Sequence, residues 1–229
     1  GEFSGPTRLR EALVRSRNLV SIRILRDIGT RTLIDYAARF GFPRASMPND
    51  LTLALGTLQA TPLEVATGFA AFANGGFKID PYFIDRIEDA AGKVVYRAEP
   101  KEVCTLCGAP ASSGGAPVLD APDALQAAAS VRGGIDLLPK QRVAERIISA
   151  QNAYIMDDIM ADVIRRGTGR RANVLNRSDI AGKTGTTNDS KDAWFNGFNR
   201  NLVATVWVGY DQERSLGEGE EGSRTAVPI

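Results

Sequence analysis

The sequence predicts an α+β fold: an antiparallel sheet sandwiched by helices, joined to a helical subdomain. Three observations predict it. Apolar residues recur at helical spacing through the first third of the chain. Short runs rich in β-branched and aromatic residues fill its last quarter. Helical and strand-like stretches are segregated instead of alternating, which argues against a parallel α/β sheet.

Residues 7–16 place Leu9, Leu13 and Val14 at helical spacing. Residues 18–28 continue with Leu19, Ile22 and Ile24 or Leu25, and Gly29 stops that helix. Residues 30–40 form a third helix with Leu33, Ile34, Ala37 and Ala38 inward, closed by Gly41. A loop follows through Pro43 and Pro48. Thr61-Pro62-Leu63-Glu64 starts the next helix: Thr61 is the N-cap, Pro62 takes the first helical position, and Glu64 completes a capping box. Val65, Ala66, Phe69, Phe72 and Ala73 give it a wide apolar face, and Asn74-Gly75-Gly76 ends it. Residues 82–88 and 93–96 read as a hairpin around Ala91-Gly92.

From about residue 98 to 141, Ala, Pro, Gly and Ser dominate and periodicity fades. This stretch is expected to be a surface insertion. A helix is predicted over 149–164, broken by the basic run Arg165-Arg166-Gly167-Thr168-Gly169-Arg170-Arg171, which reads as a solvated loop. Strands follow over 179–186, 192–198 and 201–210. The last contains a run, 202–208, that is apolar on both faces and so needs cover on both sides. Trp194, Phe195 and Trp207 read as sheet packing.

Composition excludes several functions. The chain has 229 residues, 43% hydrophobic and 24% charged, which suits one large domain or two small ones. Its 28 basic and 27 acidic residues leave a formal charge of +1, so no global basic field attracts nucleic acid or an anionic membrane. No stretch of about 18 apolar residues is available to span a bilayer. There is no histidine. That removes Ser-His-Asp and Cys-His mechanisms and histidine metal sites, and leaves proton transfer to lysine, carboxylates or hydroxyls. Cys104-Thr105-Leu106-Cys107 supplies two of the four ligands zinc needs, and with no histidine the chain cannot complete an ordinary site, so a structural or incidental role outweighs a catalytic one.

Two short motifs carry chemistry. Lys183-Thr184-Gly185-Thr186-Thr187 lies on a predicted strand. Thr184 and Thr186 share a face because side chains alternate, and Gly185 leaves room for another chain against the backbone. An ammonium, hydroxyls and edge N–H groups together suit an extended peptide with a carboxylate; a strand end with a solvated lysine also fits the pentapeptide alone. Ser16-Arg17-Asn18 sits at a break between two helices. Ser can pass a proton and Asn can hold an amide, although both residues are also ordinary helix caps.

The pair resembles the second and third active-site motifs of the penicillin-binding proteins and serine β-lactamases, which carry Ser-x-x-Lys, a Ser-x-Asn and Lys-Thr-Gly. The surroundings are similar to the class A, bifunctional penicillin-binding proteins. They include Gly5-Pro6-Thr7-Arg8 leading into Ser16, Ala60-Thr61-Pro62-Leu63-Glu64, and Asn74-Gly75-Gly76. The Arg166-Gly167-Thr168-Gly169 run also fits, as do Ala181-Gly182-Lys183 through Asp189 and Ala193-Trp194-Phe195. The resemblance implies a transpeptidase that cross-links peptidoglycan by acyl transfer from D-Ala-D-Ala stem peptides and is trapped by β-lactams. It implies that Ser16 relays a proton and Asn18 binds the donor amide. Lys183 would set the electrostatics, while Thr184, Gly185, Thr186 and Thr187 bind substrate, the Thr186 N–H forming half of an oxyanion hole. Arg17 is assigned no role beyond facing solvent. No metal or other cofactor is implied.

No serine in the chain precedes a lysine by three positions. The resemblance therefore implies that residues 1–229 are the C-terminal part of a transpeptidase domain, incomplete at both ends. Residues 1–76 are then the helical part, 98–141 the insertion and 149–229 the helix-and-sheet part. The Ser-x-x-Lys segment, a glycosyltransferase domain and a membrane anchor would lie upstream, at the periplasmic face of a bacterial inner membrane. Expected partners are stem peptides, β-lactams and that upstream segment, with no nucleic acid and no membrane contact except through the anchor. A β-lactam sensor or hydrolase of the same fold, and a scaffold that lost its serine, are the rival expectations.

Overall fold

The computed structural model describes residues 5–104 and 142–229. The chain divides into two compact units, Gly1–Lys78 with Arg146–Ile229, and Ile79–Glu145.

The first unit opens with α1 (Leu9–Val14), α2 (Asn18–Ile28) and α3 (Thr30–Arg39). Amphipathic spacing and the glycine stops drive this order. Gly29 adopts φ +87, a left-handed conformation that favours glycine, and its N–H closes α2 on Leu25 O. Leu25, Met47 and Leu53 are buried together, and the four predicted inward positions, Leu33, Ile34, Ala37 and Ala38, pack against them. The stretch after Pro43 is more ordered than the expected loop, with 3-10 turns at Arg44–Ser46 and Leu51–Leu55. In the second of these, Asp50 accepts the Thr52 N–H as a cap.

α4 (Pro62–Ala73) starts on the predicted capping box. Thr61 Oγ1 accepts the Glu64 N–H at 3.2 Å, and Glu64 Oε2 accepts the Thr61 N–H at 2.8 Å. Those bonds hold the Glu64 carboxyl below its ordinary range. α5 (Ala150–Arg166) starts on Ser149, whose hydroxyl accepts the Asn152 N–H. It continues two residues past the predicted stop, so Arg165 and Arg166 are helical and not part of a solvated loop. The helix C-terminus favours cations there, and both arginines find acidic partners. Arg170 and Arg171 open a separate 3-10 helix, Arg170–Leu175.

Strands β3 (Ala181–Thr186), β4 (Ala193–Phe198) and β5 (Val203–Val208) form an antiparallel sheet in the order β3-β4-β5. Alternation sorts their side chains onto two faces. Ala181, Phe198 and Val203 face α4 and α5, meeting Phe69, Phe72 and Met160. Ala193, Phe195, Val206 and Val208 face Ile164, Ala172 and Ala226. The second cover is therefore shorter than the predicted sandwich of helices. It consists of the end of α5, the 3-10 helix and a π-helical turn, Gly222–Ala226. Trp194 and Trp207 stack with centroids 6.1 Å apart, and Trp207 Nε1 donates to Asp192 Oδ1 at 2.9 Å.

The second unit holds the predicted hairpin, β1 (Arg86–Glu88) with β2 (Val94–Arg97). Asp89 Oδ1 accepts the N–H groups of Ala91 and Lys93, which fixes the turn. Most of the expected insertion, residues 105–141, lies outside the described residues, as does Cys107. Cys104 is disulfide-bonded.

Replacing Thr61 with Ala removes the cap of α4. Urea unfolding should show a loss of about 1 kcal/mol, largely restored by Thr61→Ser; equal stability of all three proteins would mean that the box contributes nothing.

Candidate active site

Ser16 lies in the turn between α1 and α2. Its φ is +50, unusual for a residue with a side chain. Two backbone bonds hold it there: Ser16 N–H to Leu13 O at 3.2 Å and Arg17 N–H to Ala12 O at 2.8 Å. Such local strain is characteristic of functional turns when the surroundings fix it. Val14, two residues earlier, is fully buried and anchors the turn.

β3 supplies the other half. Thr187 N–H donates to Asp192 O at 3.1 Å, extending the β3–β4 ladder by one hydrogen-bonded pair. Antiparallel pairing alternates, so the N–H and C=O groups of Thr186 and Thr184 point away from β4, toward an edge that no strand among the described residues covers. Lys183 curls round that edge. Its Nζ donates to Thr184 O at 2.7 Å and to Ser16 Oγ at 2.5 Å. The ammonium is held between a strand carbonyl and a helix-turn hydroxyl. Burial pushes its pKa down to about 8, because the charged form is poorly solvated there. Ser16 Oγ accepts from Lys183, so its own proton is free to be donated onward.

The other predicted site residues divide into two groups. Asn18, the first residue of α2, lines a groove of about 920 Å³ together with Ser16 and Arg17. Arg17 is exposed beside it. Thr186 is exposed, and its hydroxyl accepts the Gly222 N–H at 3.0 Å, which leaves its proton available. Thr184 and Thr187, by contrast, bond their hydroxyls to neighbouring residues of the site's own framework. Thr184 is buried with Oγ1 2.6 Å from Thr168 Oγ1. Thr187 Oγ1 accepts the Asp192 N–H at 2.8 Å and closes the β3–β4 turn. The chain expected against Gly185 is the protein's own: a Cβ on Gly222 would stand 2.4 Å from Gly185 O and 2.3 Å from Trp194 O.

Two further residues meet the predicted site: Gly222, to which the sequence assigned no role, and Thr168, which carried part of the resemblance without a role of its own. The two glycines flanking Thr168, directly after a helix, were the only local hint of close packing. Asp157 was passed over too. Burial pushes its carboxyl up to about 6, and Oδ1 has no partner among the described residues. It lines a cavity of about 350 Å³ with Ala181 and Phe198, at the opposite end of β3 from Thr186.

α1 is tied to α5 by ion pairs: Arg10 with Asp158 and Asp162, and Arg166 with Glu11. These hold the Ser16 turn near α5 and β3. All are partly exposed and screened by salt, so they orient more than they fix.

The structure thus places a hydroxyl on a lysine at an open strand edge, with the outward Thr186 N–H on the same strand. Residues 1–226 match the family described as the penicillin binding protein transpeptidase domain, and the chain belongs to that family. It is 47% identical over 99% of its length to penicillin-binding protein 1A of Pseudomonas aeruginosa. It is 42% identical over its full length to penicillin-binding protein 1A of Neisseria gonorrhoeae. The chain spans only 29% and 24% of those relatives. Penicillin-binding protein 1A of Haemophilus influenzae superposes over 97% of this chain and 33% of its own, with TM-score 0.79 and 38% identity. The PonA1 protein of Mycobacterium tuberculosis, in complex with penicillin V, shares the fold. It does so over all of this chain and 55% of its own, with TM-score 0.67 and 22% identity. No helix among the described residues is long and apolar enough to cross a membrane.

The lowered pKa of Lys183 has a defined effect on stability. From about 8 up to the ordinary lysine value of 10.5, the unfolded chain holds a proton that the folded chain has released. Stability contributed at this site therefore rises with pH through that window. The unfolding free energy of wild type minus that of Lys183→Met should increase from pH 8 to 10.5; a flat difference would mean that the amine titrates normally.

Proposed function

We propose that this chain is the part of a peptidoglycan D,D-transpeptidase that binds the stem peptide and handles the proton. What supports the reading is the contact between Ser16 Oγ and Lys183 Nζ at the open edge of β3. The family and the two penicillin-binding protein 1A relatives supply its biological setting.

In this reading a serine from a Ser-x-x-Lys segment, outside these 229 residues, attacks the carbonyl between the last two D-alanines. The substrate lies along β3. The outward Thr186 N–H donates to the carbonyl oxygen as it becomes an oxyanion, a contact that strengthens in the transition state. Thr186 Oγ1 and the Lys183 charge hold the terminal carboxylate. Asn18, which lines the same groove as Ser16, holds the donor amide. As the C–N bond breaks, Ser16 gives its proton to the leaving D-Ala amine and is recharged through Lys183. The acyl group then passes to an amine of a neighbouring stem. Thr184, Gly185 and Thr187 act by shaping the strand: Thr184 through Thr168, Gly185 through its backbone, on which Gly222 packs, and Thr187 by closing the turn. β-Lactams enter by the same route and stop at the acyl-enzyme. The site faces the periplasm, where peptidoglycan is built, and membrane attachment comes from a segment outside this sequence.

Fluorescent penicillin should label the full-length protein and leave the 229-residue chain unlabelled. Covalent labelling of the chain alone would place a nucleophile where this reading has none. In the full-length protein Lys183→Ala should slow acylation by roughly 10²-fold or more. An unchanged rate would take Lys183 out of the chemistry.

A further inference from the structure

The loop that follows α5 touches both halves of the site. Thr168 Oγ1 lies 2.6 Å from Thr184 Oγ1, next to Lys183 on β3. The Thr168 N–H points at Val14 O, 3.4 Å away, two residues before Ser16. Gly167 fits against the same carbonyl: a Cβ there would stand 2.5 Å from Val14 O, 2.8 Å from Val163 Cα and 2.9 Å from Val14 Cγ1. Both Val14 and Val163 are fully buried, so neither can yield cheaply. Gly169 is similarly closed, with Ile164 Cδ1 at 2.8 Å from its Cβ position. The loop is thus wedged between rigid neighbours, and its threonine bridges them.

We propose that Thr168 is a positioning residue that sets the Ser16–Lys183 contact by locking the Ser16 turn to β3 through Val14 and Thr184. Two connections run in parallel between the same two elements. One joins residues 14, 168 and 184 and is buried or half-buried; the other joins Lys183 to Ser16, which lines the groove beside Asn18. The first fixes the spacing at which the second operates. The partly exposed ion pairs between α1 and α5 are too compliant for that task. A hydroxyl pair inside a close-packed seam has one arrangement, and a shift of about 1 Å between reacting groups is enough to cost ~10²-fold in rate. This assignment rests on the acyl-transfer reading above for its effect on activity, but not for its effect on geometry.

The test compares Thr168→Val, which keeps the shape and loses the hydroxyl, with Thr168→Ser, which keeps the hydroxyl. Both are made in the full-length protein. Acylation by fluorescent penicillin should slow ~10- to 100-fold in Thr168→Val and stay within ~3-fold of wild type in Thr168→Ser. The loss should fall on the acylation step, with penicillin's initial dissociation constant nearly unchanged. Independently of activity, NMR titration of the lysine ε-methylene should show the Lys183 midpoint moving up from about 8 in Thr168→Val only, as the ammonium loses its enclosed seat. A Thr168→Val protein with wild-type acylation and midpoint overturns the proposal. So does a loss that Thr168→Ser shares, or one seen only as a lower melting temperature. If wild type itself is not labelled, the acyl-transfer reading fails, and the Lys183 midpoint alone decides whether Thr168 positions the lysine.

Discussion

The short bond between the Ser16 hydroxyl and the Lys183 ammonium is the constraint around which this structure is organised. Its two partners are 167 residues apart in sequence, and neither is held by its own element alone. Ser16 needs a left-handed backbone, braced by Leu13 O, Ala12 O and the buried Val14. Lys183 needs an uncovered strand edge, so that its long side chain can wrap to Thr184 O and meet Ser16. The site exists because β3 ends the sheet at the place where the α1–α2 turn arrives. Burial lowers the lysine's proton affinity there, so that an ammonium and an amine are both accessible near neutral pH.

The fold was largely readable from sequence where local physics decides. α2 follows its predicted span, and the Thr61–Glu64 box forms as expected, because glycine stops and side-chain caps act within a few residues. β4 and β5 are each shorter than their predicted runs, spanning Ala193–Phe198 and Val203–Val208. The misjudged end of α5 has a tertiary cause. Arg165 and Arg166 look like a breaker in a basic run, but Asp158, Asp162 and Glu11 neutralise them and let the helix continue. The second cover of the sheet could not be read either. The Gly222–Ala226 turn has no periodicity and earns its place only through contact with Gly185 and Trp194.

The candidate site was legible in a different way. Ser16, Asn18, Lys183 and Thr186 came from a resemblance between short motifs, and Ser16 and Lys183 prove to be in contact. Alternation along β3 foretold that Thr184 and Thr186 share a face, but not that Thr168 takes up one hydroxyl while Gly222 leaves the other partly open. Which neighbour reaches a side chain depends on segments far away in sequence. For that reason the residues that support the site, Gly167, Thr168 and Gly222, were harder to see than those that form it.

The most direct measurement is a crystal structure of the full-length protein acylated by penicillin. The account predicts the bound carboxylate within hydrogen-bond reach of Thr186 Oγ1, the acyl oxygen on the Thr186 N–H, and Ser16 facing the β-lactam nitrogen with Lys183 behind it. A penicilloyl group bound away from β3, with Ser16 and Lys183 out of its reach, would contradict the account.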